Sequence, residues 1–164
     1  MEEIEKGQLP FSKVHHICMV VRDLEKAKKF YEAMGIGPFK PLPPAPEKPA
    51  EITYIETFAQ MGSIGLQLLQ PSAKGDSVFK NIFRRFLDKH GEGMHHICFI
   101  ANDIKKDVED LVKKGHELID THYLTTGGGE AFLTFDPNGD EAGFCLQLLD
   151  KRRGAELDKD MRSK

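Results

Sequence analysis

The sequence predicts an α+β protein built from two βαβββ modules that join in a curved, mostly antiparallel sheet. Three observations carry this. His15-His16-Ile17-Cys18, running on to Asp23-Leu24, returns as His95-His96-Ile97-Cys98, running on to Asp103-Ile104. Gly35 recurs as Gly115, and Leu66-Gln67-Leu68-Leu69 as Leu146-Gln147-Leu148-Leu149. All of these matches share one offset of 80 residues (15 to 95, 66 to 146), without a gap. A fixed internal period marks a duplicated structural unit.

Taken in order, residues 1–12 read as an N-terminal arm and 13–71 as the first module. Val14 to Val21 reads as a buried strand. Asp23 caps the following helix, whose apolar stripe is Leu24, Ala27, Phe30, Tyr31 and Met34. Gly35 stops it. Six prolines between Pro38 and Pro49 keep that segment out of a sheet interior; it reads as an extended loop over a pocket or as a solvated linker. Glu51 to Phe58 and Ile64 to Gln70 are strands. Residues 72–92 hold a linking helix, with Val78, Phe79, Ile82, Phe83, Phe86 and Leu87 on one stripe and no counterpart in the second copy.

The second module, 93–150, repeats the plan. Met94 to Ala101 is a strand, and Asn102 or Asp103 caps a helix with Ile104, Val108, Leu111 and Val112 inward. Strands follow at 116–124, 131–135 and 143–149, separated by Gly127-Gly128-Gly129 and the turn Asp136-Pro137-Asn138-Gly139. Residues 151–164, opening with Lys151-Arg152-Arg153, read as a charged, solvated tail.

The 164 residues suffice for a disulfide-free core. A formal net charge of −3 without a long basic run argues against nucleic acid. Three cysteines at no framework spacing fit a reducing cytoplasm. The acidic N-terminus lacks a signal core, and no apolar run reaches the ~20 residues of a membrane span. The expectation is a soluble cytoplasmic protein.

If the copies pair about a pseudo-twofold axis, His16, Gln67, His96 and Gln147 converge. Both glutamines sit in otherwise apolar strands, where an unpartnered amide costs roughly 1–3 kcal/mol. Two readings stand side by side: a divalent metal centre, or a buried hydrogen-bond network of two His and two Gln. Neutral ligands leave an ion's charge uncompensated, which favours anionic oxygens from a substrate. Imidazole suits zinc, cobalt, nickel or iron and amide oxygen suits manganese, so the metal stays open.

Glu56 shares a strand face with Ile52, Tyr54 and Phe58; it is either a desolvated base or a solvated strand end. Glu130 is a weaker candidate of the same kind. Strand alternation turns His15 and His95 away from the centre as packing residues. The cysteines read as small apolar filler.

The segments His15-His16-Ile17, Val21 to Ala27, Phe30-Tyr31 and Gly35, with Gly93 to Ile97 and Gly127 to Pro137, resemble the vicinal oxygen chelate superfamily of glyoxalase, bleomycin-resistance and dioxygenase proteins. The resemblance spans Val14 to Leu149 and is closest to methylmalonyl-CoA epimerase-like and glyoxalase-like members. It implies a homodimer and a divalent metal on His16, Gln67, His96 and Gln147. It also implies a small-molecule substrate, a CoA thioester first, and Glu56 as the catalytic base. The implied activity is enolate-stabilising isomerase or epimerase. A glyoxalase I-type lyase and a non-catalytic binding protein are the alternatives. Gln147 stands where these enzymes usually carry Glu, which removes one of the two acid/base groups that epimerisation at carbon uses.

Overall fold

A computed structural model describes residues 11–41, 54–72, 82–120 and 129–162. Of the proline-dense stretch Pro38 and Pro41 are described, Pro41 ending a short edge strand; the rest of it, the front of the linking helix with Val78 and Phe79, and Gly127-Gly128 lie outside the described residues.

The first module comprises β1 (Lys13–Val20), α1 (Leu24–Ala33), β2 (Lys40–Pro41), β3 (Tyr54–Met61) and β4 (Ile64–Pro71). After α2 (Ile82–His90), the second repeats the order with β5 (Gly93–Ile100), α3 (Ile104–Lys113), β6 (Leu118–Asp120), β7 (Glu130–Thr134) and β8 (Cys145–Leu149). A last helix, α4, spans Lys151–Arg162. The strands form one eight-stranded sheet in the order β2-β3-β4-β1-β5-β8-β7-β6. Its ladders are antiparallel except β1·β4 and β5·β8. The order is a palindrome about the β1·β5 seam, where Ile17 pairs with Ile97.

The helices begin and end as the sequence reading expects. Asp23 and Asp103 accept from the backbone N–H of Lys26 and Lys106 at 3.0 and 3.2 Å, satisfying donors that the first turn leaves unpaired. Gly35 and Gly115 take φ of +84° and +97° at the helix ends, a conformation that costs a side-chain-bearing residue.

Helices α1 and α3 cover one face of the sheet. Leu24 packs with Leu66, Leu68 and Ala59, and Val108 with Leu146, Leu148 and Ala131. The inward stripes are narrower than expected: Phe30, Met34 and Val112 are exposed. Each ten-residue helix fully buries a single residue, Leu24 or Val108, and these three fall outside the covered stripe.

The opposite, inner face carries the chemistry-bearing residues and is covered by the other two helices. Ile82, Phe83, Phe86 and Leu87 of α2 pack on Cys18, Val20 and Leu69. Leu157 of α4 packs on Cys98, Ile100 and Leu149, the residues 80 positions on. Thus the segment expected as a solvated tail is a helix, and α2 does have a counterpart. The tail's charges line the solvent side of α4, and the buried Leu157 and Gly154 line the other. Among the described residues no helix is long and apolar enough to cross a membrane.

Candidate metal centre

The β1·β5 ladder slips twice. Val14 and His16 pair with Phe99 and Cys98, so His15 is an extra residue. Cys18 and Met19 pair with His96 and Met94, so His95 is the extra residue on the other strand. A bulge turns two successive side chains toward one face. Strict alternation, which sent His15 and His95 away, therefore fails at these two positions. His15 Nδ1 lies 2.7 Å from His16 Nδ1, and His95 Nδ1 lies 2.8 Å from His96 Nδ1. Both residues also keep their expected helix contacts. His95 packs on Phe83 and Phe86 of α2. His15 Nε2 sits 3.5 Å from Asp158 Oδ1 of α4, without hydrogen-bond alignment.

His16 and His96 meet across the seam with Nε2 atoms 3.3 Å apart. Each ring is braced edge-on by a phenylalanine at 5.2 Å, Phe58 for His16 and Phe132 for His96. Gln67 and Gln147 approach from the flanking strands; both reach His16, and Gln147 also reaches His96. Burial, then the adjacent bulge histidine, holds the pKa of His16 and His96 well below the usual imidazole value. Both rings are therefore neutral near pH 7, with lone pairs free to coordinate.

The amides are oriented by carboxylates. Gln67 Nε2 donates to Glu56 Oε2 at 2.5 Å, and Gln147 Nε2 donates to Glu130 Oε1. In each pair the amide donates and the carboxylate oxygen accepts, so each NH₂ faces outward. Each Oε1 then faces the imidazoles, buried and without a hydrogen-bond donor. Two imidazole arrangements satisfy the histidines: a continuous His15–His16–His96–His95 proton chain, or Nδ1–H donated outward by His16 and His96 with both Nε2 lone pairs inward. Neither aligns a ring N–H with the two amide oxygens. A bound cation would accept their lone pairs and offset the cost of so many converging acceptors.

The donor set fits a divalent ion. With bonds of ~2.1 Å, nitrogens this far apart subtend roughly 100°, between the tetrahedral and octahedral values. In the second arrangement the bulge histidines would brace the ligand rings, as outer partners of metal-bound imidazole do. A rival trio, His15, His16 and Cys98, also has ligand atoms within 4.8 Å of one another. Cys98 lies across the ladder from His16, a proximity invisible along the strand. Burial and then the Glu130 charge push its thiol well above the usual range. Without an ion Cys98 is thus a protonated thiol, and the trio, unlike the His/Gln set, leaves both amide oxygens unanswered.

Glu56 is half-buried, accepts from Gln67, and pairs in register with Leu69. Glu130 pairs with Leu149, the residue 80 positions on, so the two carboxylates are structural equivalents. The constant offset hides this because the β7–β8 connection carries extra residues (Glu56 to Glu130 is 74). The missed signal is the repeat Glu56-Thr57-Phe58 and Glu130-Ala131-Phe132.

The Glyoxalase/Bleomycin resistance protein/Dioxygenase superfamily profile matches residues 15–134. Human mitochondrial methylmalonyl-CoA epimerase is 30% identical over 149 residues, covering 90% of this chain and 79% of that protein. The uncharacterized protein YqjC of Bacillus subtilis is 29% identical over 142 residues, covering 86% and 94%. Among solved structures, a Streptomyces coelicolor methylmalonyl-CoA epimerase variant in complex with 2-nitronate-propionyl-CoA superposes with a TM-score of 0.58. It shares 25% identity over 85% of this chain and 97% of that one. A methylmalonyl-CoA epimerase in complex with methylmalonyl-CoA and NH4+ gives the same TM-score of 0.58, at 25% identity over 85% and 94%. With the profile matching well over half its length, this chain belongs to the Glyoxalase/Bleomycin resistance protein/Dioxygenase superfamily.

Proposed function

We propose that the protein is a divalent-metal-dependent epimerase or isomerase that acts on a small acyl thioester, in the manner of its methylmalonyl-CoA epimerase relatives. One observation carries the reading. Two neutral imidazoles and two donor-starved amide oxygens face one point, with the Glu56 carboxylate bonded to one of those amides. His16, Gln67, His96 and Gln147 would hold the ion. When bound, it supplies positive charge that favours build-up of negative charge on substrate oxygens. All four ligands are neutral, so the favoured substrate brings the anion itself. An acyl thioester with a second carboxylate answers that need.

The chain's own part is binding and proton handling. Glu56 takes the proton from the carbon between the two carbonyl groups, and the C–H pair moves into the thioester carbonyl. Phe58, Phe83 and Phe132 exclude water from the inner face. A CoA thioester is the first substrate to try, and a glutathione thioester of the glyoxalase type the second. A homodimer accompanies the reading and is tested by sedimentation.

The test is α-deuterium uptake in D₂O with methylmalonyl-CoA and, separately, zinc, cobalt, nickel, manganese or iron(II). Uptake by the parent, lost in Glu56→Gln for the epimer whose α-proton faces Glu56, is the expected result. No uptake with any of these ions overturns the reading for that substrate. Metal content of the purified protein then separates the remaining alternatives. A bound ion with turnover of a glutathione hemithioacetal indicates a lyase, and no ion indicates a binding protein.

A further inference from the structure

We propose that Glu130 is the second proton-transfer residue of the site, working from the side opposite Glu56. The inference rests on the epimerase reading above and extends it to the step that Gln147 cannot perform.

Six consecutive strands carry the site in mirrored order. Glu56 on β3, Gln67 on β4 and His16 on β1 are followed by His96 on β5, Gln147 on β8 and Glu130 on β7. The registers match on both sides of the seam. Gln67 pairs with Phe58 and Glu56 with Leu69; Gln147 pairs with Phe132 and Glu130 with Leu149. In each half the carboxylate accepts from the amide of its own half, and both carboxylates are half-buried. A pseudo-twofold axis through the His16–His96 contact relates the two. A substrate carbon held on such an axis has one carboxylate on each of its two sides.

That placement is what inversion at a carbon needs. The Glu56 carboxylate takes the α-proton from one face, and the electron pair of the C–H bond enters the thioester carbonyl. The carboxylic acid of Glu130 delivers its proton to the opposite face as the pair returns to carbon. Glu56 ends protonated and Glu130 ionised, which is the state that converts the other epimer in reverse. No oxidant, reductant or further reactant is required. A Gln amide at position 147 carries no transferable proton, and Glu130, bonded to it, is the carboxylate of that half.

Glu130→Gln and Glu56→Gln are the informative variants, because a glutamine oxygen still accepts from the neighbouring amide while the proton carrier is gone. Each is assayed with separate epimers of methylmalonyl-CoA in D₂O. Metal content and calorimetric affinity for 2,2-dimethylmalonyl-CoA, which has no α-proton, are measured alongside. Glu130→Gln is expected to keep its metal and to bind the dimethyl analogue within about twofold of the parent. It should still wash out the α-proton of one epimer, yet invert it at least about 100-fold more slowly. Glu56→Gln should show the mirror pattern, with wash-out kept for the other epimer. Inversion by Glu130→Gln at the parental rate overturns the assignment. So does loss of the ion or of analogue binding, which makes Glu130 a holder of Gln147 only. Failure of the epimerase reading looks different: the unaltered protein exchanges neither epimer, and the assignment falls with it.

Discussion

Replacing Gln147 by leucine separates a metal ligand from a member of a hydrogen-bond network. Without metal the substitution removes a buried acceptor that has no donor, a relief of about 1–3 kcal/mol. It also removes the amide donor to Glu130, a charge-assisted bond worth about 1.5–3 kcal/mol. These nearly cancel, so the metal-free variant should melt within a few degrees of the parent. With metal the two diverge. An ion at 100 times its dissociation constant stabilises the parent by about 2.7 kcal/mol, or roughly 5–11 °C for a chain of this length. If loss of one ligand weakens the ion about 100-fold, the gain at the same concentration falls to about 0.4 kcal/mol. Thermal unfolding followed by circular dichroism, with and without each ion, reads both numbers. Gln67→Leu should behave alike. An undiminished metal shift in either variant would refute the ligand role of that oxygen. A fall of several kcal/mol without metal would mean the amide is held by partners the site geometry does not include.

Three further predictions concern the scaffold. His16, His95 and His96 all have folded pKa values below the ordinary imidazole value, His95 at about 3, with burial the main cause. The unfolded chain binds these protons first. Stability is therefore full above pH ~6.5 and falls on acidification by about 4 kcal/mol per pH unit at most. An acid titration of the metal-free protein that stays flat from pH 6.5 to 4.5 would contradict this. A Cβ at Gly154 would overlap the δ-methyl of Ile100, which is buried in the core beneath α4. Gly154→Ala should cost about 1–3 kcal/mol by thermal denaturation, and an unchanged melting temperature would mean α4 is free to lift. Asp23→Ala and Asp103→Ala should each cost about 1 kcal/mol, and the double variant should show the sum; one silent substitution would break the equivalence of the two caps.

Much of this architecture is legible in the chain because its rules are local. A cap at Asp23 and a left-handed stop at Gly35 depend on neighbours within one turn, and so does their repetition at Asp103 and Gly115. The four central side chains are legible through their shared offset, which needs no knowledge of the ladder. What escaped is set by pairing. The bulges at His15 and His95 exist only relative to the opposite strand, so alternation along one strand misplaces both rings. Cys98 is close to His16 across a ladder, not along it. Glu130 is displaced from its expected position by extra residues in a hairpin, and only the register with Leu149 restores the equivalence. Helix α4 hides because it buries little more than Leu157 and Gly154, too few positions to mark a stripe.

The seam between β1 and β5 has one more implication. Because His16 and His96 sit on opposite strands of that ladder, neither half of the molecule contains the full set of proposed ion ligands. Cut between Pro71 and Ile82, the two pieces would each be inert. Ion uptake on mixing them would then report the docking of one piece onto the other.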